Sequence, residues 1–197
     1  MTMTLTDPGE IRLTGENPII AIYTDPRSSA PSTQANFWRL LYSPAGPGHA
    51  AFLRSDELTN GAPRVYTDNI AAARWLQREI LSGNPSSPFL DEALPAVDAV
   101  FTREGDIRSF ITERISAENE EVLLTWFDFL TPFPIWAPAS PTRALATAAI
   151  FFPALGTQVT LNGIAAPGKP LPRDRDGKPS SSSFIAWSET WIRPLSS

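Results

Sequence analysis

The sequence predicts an all-β fold, an antiparallel β-barrel of about nine to ten strands carrying one substantial helix. Three observations lead there. Short apolar runs rich in β-branched and aromatic residues recur along the chain, separated by Pro, Gly and Ser clusters. A single segment has helical periodicity. The connections between runs are mostly short, which gives a meander-like order suited to a sheet that closes on itself. A two-sheet β-sandwich is the alternative architecture for the same pattern.

The chain has 197 residues, a length that fits one domain. Residues 1–9 read as a loose leader. Residues 11–15 ("IRLTG") and 18–25 ("PIIAIYTD") read as strands, and residues 26–34 as a Pro/Ser/Thr loop. A strand over 35–43 is followed by the turn cluster "PAGPGH" and a further strand over 50–55. The helix is expected over about 68–82, with Thr67 or Asp68 as N-cap and Gly83 as its stop. Its Ala72, Ala73, Leu76 and Ile80 form one stripe. Residues 96–131 read as three strands. A three-residue loop Glu104-Gly105-Asp106 would set Val97, Ala99 and Phe101 beside Ile111, Ser109 and Ile107. Residues 132–141 form a Pro-rich crossing, strands follow at 143–152 and 157–163, and the last strand is 184–192. Between them, 164–182 reads as a long loop, either an ordinary solvent-exposed connection or a lid over a barrel mouth. By shape alone such a barrel is similar to those of lipocalins and other calycins, a likeness of fold that carries no activity.

Composition excludes several chemistries. The net charge is −5 and the basic residues are scattered, which argues against nucleic acid and anionic membrane surfaces as partners. There is no cysteine, so thiolate nucleophiles, disulfides and Cys-type metal sites are absent. The one histidine, His49, cannot build a multi-histidine metal site. No G-x-S-x-G, G-x-G-x-x-G or P-loop motif occurs. The expectation is a protein without metal or cofactor. The first residues carry no basic and apolar regions of a secretory signal, and no apolar run reaches membrane-spanning length, so a cytoplasmic location is expected.

Two strands place an acid among large apolar side chains. Strict alternation puts Val122, Leu124, Trp126, Asp128 and Leu130 on one face, and Ile185, Trp187, Glu189, Trp191 and Arg193 on another. If those faces point inward, desolvation raises the carboxyl pKa, and Glu189 and Asp128 become candidate acid/base catalysts. Trp187, Trp191, Trp126, Tyr23, Trp38 and Tyr42 are candidate aromatic walls of a substrate site. Arg39 and Glu113 are its candidate charged contacts. The expected function is a cofactor-independent enzyme that binds an apolar, cyclic small molecule in the barrel and promotes isomerisation, cyclisation or hydration, as an isomerase, cyclase or lyase. The alternatives are a non-catalytic binder of a hydrophobic ligand, and a carbohydrate- or protein-binding sandwich with exposed Trp126, Trp187 or Trp191. An outward Trp face on the last strand would serve a homodimer.

Overall fold

The computed structural model describes residues 9–140 and 143–194, so nearly all of the expected leader lies outside the described residues. Its strands are β1 (Glu10–Ile22), β2 (Thr33–Tyr42), β3 (Gly48–Ser55), β4 (Arg64–Thr67), β5 (Ala96–Asp98), β6 (Val100–Asp106), β7 (Phe110–Ser116) and β8 (Glu121–Phe129). They are followed by β9 (Phe133–Ala137), β10 (Ala146–Leu161), β11 (Ile164–Ala165), β12 (Pro172–Arg175), β13 (Lys178–Ser181) and β14 (Phe184–Arg193). The α-helix α1 spans Ile70–Glu79 and is followed by a 3₁₀ turn at Leu81–Gly83. The sheet order is β5-β4-β3-β2-β1-β14-β10-β8-β7-β6, a ten-stranded path, and β9 and β11 each add onto β10. Pairing is antiparallel except between β4 and β5. The two ends of the path are consecutive in the chain, since β5 runs through Ala99 into β6. The result is the nearly closed all-β barrel with one helix that the sequence predicts.

Strands all round the barrel send alternate side chains into one buried cluster. Ile20, Phe37, Leu53, Ile115, Trp126 and Ile185 belong to it. Residues from both ends of the sheet path meet there, so this cluster is the interior, and it is filled by side chains in the manner of small barrels. On the opposite face of β1–β4 lies a second cluster. Leu13, Trp38, Phe52 and Val65 pack there against Ala72, Ala73 and Leu76 of α1, the stripe expected from the sequence. The helix therefore covers the outside of the barrel wall.

The N-cap is Asn69 rather than Thr67 or Asp68. Its side chain accepts from the Ala72 N–H at 3.1 Å and donates to the Pro47 and Ala45 carbonyls of the β2–β3 turn. Thr67 still ends a strand, and Asp68 is occupied by His49.

Two further expectations are corrected. The hairpin between β6 and β7 turns at 107–109, three residues later than predicted, and pairs Phe101 with Ile115 and Arg103 with Glu113. The cause is local: the Asp106 carboxylate accepts from the Arg108 N–H at 2.8 Å and the Asp106 carbonyl from Ser109 N–H at 2.8 Å, closing the turn beyond it. The 164–182 segment is not a plain loop. It contains the hairpin β12–β13, turned at Asp176-Gly177 with φ of 54° and 76°. Arg175 lies 4.5 Å over the Phe151 ring and Lys178 5.1 Å over Phe133, which straps the hairpin against a third apolar cluster around β9 and β10.

Candidate functional site

The geometry of the site begins with a break in the last strand. Ser188 takes left-handed backbone with φ 52°. Trp187 pairs with Ile150 and Thr190 with Ala148, so one extra residue is inserted opposite Ala149. Ile185 and Trp187 pack on the interior cluster, whereas Trp191 packs on the helix-side cluster. Regular pairing from Glu189 to Trp191 puts Glu189 on the same face as Trp191, opposite Gly15 of β1. The three residues expected on one face are thus split, with Trp187 inside the barrel and Glu189 and Trp191 outside it.

Glu189 is nevertheless buried, at 5% exposure, beneath the structure that covers this wall. Its Oε2 has no hydrogen-bond partner among the described residues. Burial pushes its carboxyl up to about 8, partly opposed by the nearby Trp191 indole N–H. That N–H is close to the carboxyl but itself lacks a partner of good geometry.

Beside this acid opens a cleft of about 540 Å³ between the sheet and the end of the helix. Its floor carries Asn17 of β1, Asn36 and Trp38 of β2, and Trp191 of β14. Leu145 and Arg143, just before β10, form one side, and residues 79–84 at the end of α1 form the roof. The amide of Asn17 donates to Asn36 Oδ1 at 2.6 Å and to the Phe37 carbonyl at 2.8 Å, which fixes both asparagines. Arg143 is clamped by an Nη2 bond to the Pro138 carbonyl at 2.5 Å and by paired backbone bonds to Ser140. Three side chains of the lining carry buried polar atoms without partners among the described residues, and all three atoms are donors: Trp38 Nε1, Trp191 Nε1 and Arg143 Nε. Each such group left unpaired costs about 1–3 kcal/mol. Thr147, opposite Trp191 in the pairing of β10 with β14, adds a fourth unpartnered polar atom next door.

The interior holds a second polar group. Glu113 is fully buried and accepts from Arg103 Nε at 2.6 Å and from Arg39 Nη2 at 3.0 Å. Glu16 pairs with Arg103 and lies 3.9 Å from Arg39 Nε. Two acids thus face two arginines, and Trp187 stacks over Arg103 at 5.3 Å. Burial raises the Glu113 pKa while Arg103 and Arg39 pull it down. Arg39, expected to contact substrate, is engaged inside the barrel wall instead.

The other expected residues lie elsewhere. Trp126 is buried in the core and donates its indole N–H to the Ile19 carbonyl at 3.0 Å. Asp128, expected on the inward face with Trp126, is exposed. Its left-handed backbone, φ 54°, ends the alternation and turns Phe129 toward the interior cluster in its place. Tyr23 sits at the end of β1 with Arg173 over its ring at 5.7 Å, and Tyr42 is half exposed. The structure therefore gathers Trp38 and Trp191 at the cleft, with Glu189 buried near Trp191 and outside the lining, and Trp187, Arg39 and Glu113 in the interior. No residue of 164–182 lines the cleft.

Sequence reasoning missed Asn17, Asn36 and Arg143. The asparagines were detectable as polar interruptions of β-branched and aromatic runs. Arg143 follows a Pro-rich crossing and carries no such signal. His49, outside the cleft, holds the Asp68 carboxylate through Nδ1 at 2.6 Å and stacks on Phe101 at 5.0 Å. Among the described residues no group of three or more His, Asp or Glu side chains is arranged to hold a metal, and no helix is long and apolar enough to cross a membrane. Comparison with known proteins gives no match to a family model, to a curated protein or to a solved structure.

Proposed function

We propose that this protein binds a small, largely apolar molecule carrying hydrogen-bond acceptors in the cleft between α1 and the barrel wall. The observation that carries this reading is the set of unpartnered donors, Trp38 Nε1, Trp191 Nε1 and Arg143 Nε, around one cleft. The three atoms are buried, so an acceptor reaches them only where the lining shifts, and it then recovers bonds the free protein lacks. Two indoles supply apolar surface, and the volume lies in the range of small-molecule sites. The barrel interior is less suited to the role, because side chains and the Glu16/Arg39/Arg103/Glu113 group fill it. The test is native mass spectrometry of protein purified from its own host. A small molecule should be retained by the parent and lost in Ala144→Trp, which places an indole in the cleft from its exposed rim. Retention of the same molecule by that variant would remove the cleft from consideration.

Glu189 favours a second reading, a cofactor-independent isomerase, cyclase or lyase working in the same cleft. A carboxyl held near 8 is protonated at neutral pH and can give a proton to a carbonyl or alkene. It is buried near Trp191 and does not itself line the cleft, so this chemistry requires the indole to turn aside. Glu189→Gln should then leave the fold and ligand retention intact and lower turnover of the retained molecule at least about tenfold. Unchanged turnover would leave binding as the whole function.

A further inference from the structure

We propose that the ligand of this cleft bears a single carboxylate, seated with its oxygens toward Arg143 Nε and the indole N–H groups of Trp38 and Trp191. This inference rests on the cleft being the binding site and adds the chemical class of its occupant.

A guanidinium Nε–H and two indole N–H groups are all obligate donors, so the complementary group offers acceptors only. A carboxylate is such a group, with two oxygens and several lone-pair directions. A hydroxyl or amine on the ligand would leave some of these donors unsatisfied.

Charge then limits the anion. Arg143 and Glu79 are the charged side chains that line the cleft, and the Glu79 carboxylate is already paired with Arg193 at 3.2 Å. Arg143 keeps its guanidinium in place through Pro138, yet its Nε is unpartnered among the described residues. One available cation balances one negative charge. A phosphate dianion, with three acceptor oxygens and nearly twice the charge, would need further cations that the lining lacks. Glu189, held mainly protonated at neutral pH by its burial, adds little opposing charge behind Trp191. The remaining walls, Trp38, Trp191 and Leu145, suit a flat hydrocarbon body.

Tryptophan fluorescence titration with three probes tests the class: phenylacetate, methyl phenylacetate and phenyl phosphate, at about pH 6.5 so that Glu189 stays protonated. The expected result is that phenylacetate binds at least about tenfold more tightly than its methyl ester and than phenyl phosphate. Arg143→Gln should abolish the preference over the ester, the loss falling mainly on phenylacetate. Trp38→Phe, which keeps the ring bulk and removes one donor, should weaken phenylacetate more than the ester. Equal binding of acid and ester overturns the carboxylate and leaves the cleft standing. Tighter binding of phenyl phosphate overturns the single charge. Failure of all three probes to bind overturns both the class and the cleft. Should Arg143→Gln fail to fold, the acid–ester comparison in the parent protein decides alone.

Discussion

Trp187 and Glu189 are two residues apart on β14, yet their side chains leave opposite faces of the barrel wall, because Ser188 between them adopts left-handed backbone. A serine in that conformation carries a cost of about 1–2 kcal/mol relative to its usual regions. Ser188→Gly should therefore stabilise the protein by about 1 kcal/mol, read as a higher urea midpoint with an unchanged slope. Ser188→Val should lower it. A lower midpoint for the glycine variant would mean that the bulge is not where the strand changes face.

Glu189 couples stability to pH. Its folded pKa of about 8 lies above the ordinary value of 4.5, so the folded state holds its proton more tightly than the unfolded chain does. The contribution is complete below about 4.5 and is lost as pH rises through about 8. Its partner Gly15 on β1 and the residue opposite the bulge, Ala149 on β10, carry no charge, and the charged groups of the adjoining cleft are Arg143 and the Glu79–Arg193 pair. Thermal melts across this window should show the parent losing a few kcal/mol, on the order expected from such a displacement. Glu189→Gln should flatten that slope. Parallel curves for the two proteins would show that Glu189 is ionised in the folded state.

Glu113 sits fully buried between Arg39 and Arg103. Glu113→Gln leaves one positive charge uncompensated in the interior and should cost about 3–5 kcal/mol in chemical denaturation. Glu113→Leu combined with Arg103→Met removes one charge of each sign and should cost less than the single change. A double variant as unstable as the sum of its parts would show that the group acts through packing and not charge balance.

Gly15 stands opposite Glu189 and close against β2. A Cβ there would meet the Arg39 carbonyl oxygen at 2.1 Å, a backbone atom that cannot step aside. Gly15→Ala should cost about 1–3 kcal/mol and should speed hydrogen exchange of the amides pairing β1 with β2. A neutral effect would show that the two strands are further apart than this contact implies.

Trp136 is the exposed tryptophan of the described residues, at 62%, whereas Trp126 is sealed in the core. Acrylamide should quench one fast component of the emission, and Trp136→Phe should remove it. Trp126→Phe should leave that component in place. Persistence of fast quenching in Trp136→Phe would place the accessible indole at Trp187 or Trp191 instead.

The strands, the helix and the closed order of the sheet were legible because their signals are local: β-branched runs for the strands, an i, i+4 stripe for α1 and short turns between neighbours. The facing of β14 was not legible. Alternation holds until an inserted residue breaks it, and serine has only a weak tendency to left-handed backbone. The same failure misplaced Asp128, where another left-handed residue ends the rule. The Glu113–Arg103 pair depends on a turn set by Asp106, and moving that turn by three residues changes every cross-strand partner. The Asp-Gly turn at 176–177 is a hairpin signal, but the prolines and alternating charges around it read as loop. The cleft draws Asn17, Trp38, Arg143 and Trp191 from four distant segments, so only tertiary structure assembles it.

The helix and its following turns, residues 68–95, form one excursion whose ends are anchored on β4 and β5. Those strands lie side by side and parallel, with Val65 paired to Ala96, so the excursion leaves the end of β4 and crosses back to the start of β5. The entropy of closing such a span rises only slowly with its length. Segments of different size and composition can thus be grafted between the same two anchors without altering the barrel register. The part of the cleft lining that this cover supplies is free to diverge while the β-framework beneath it stays constant.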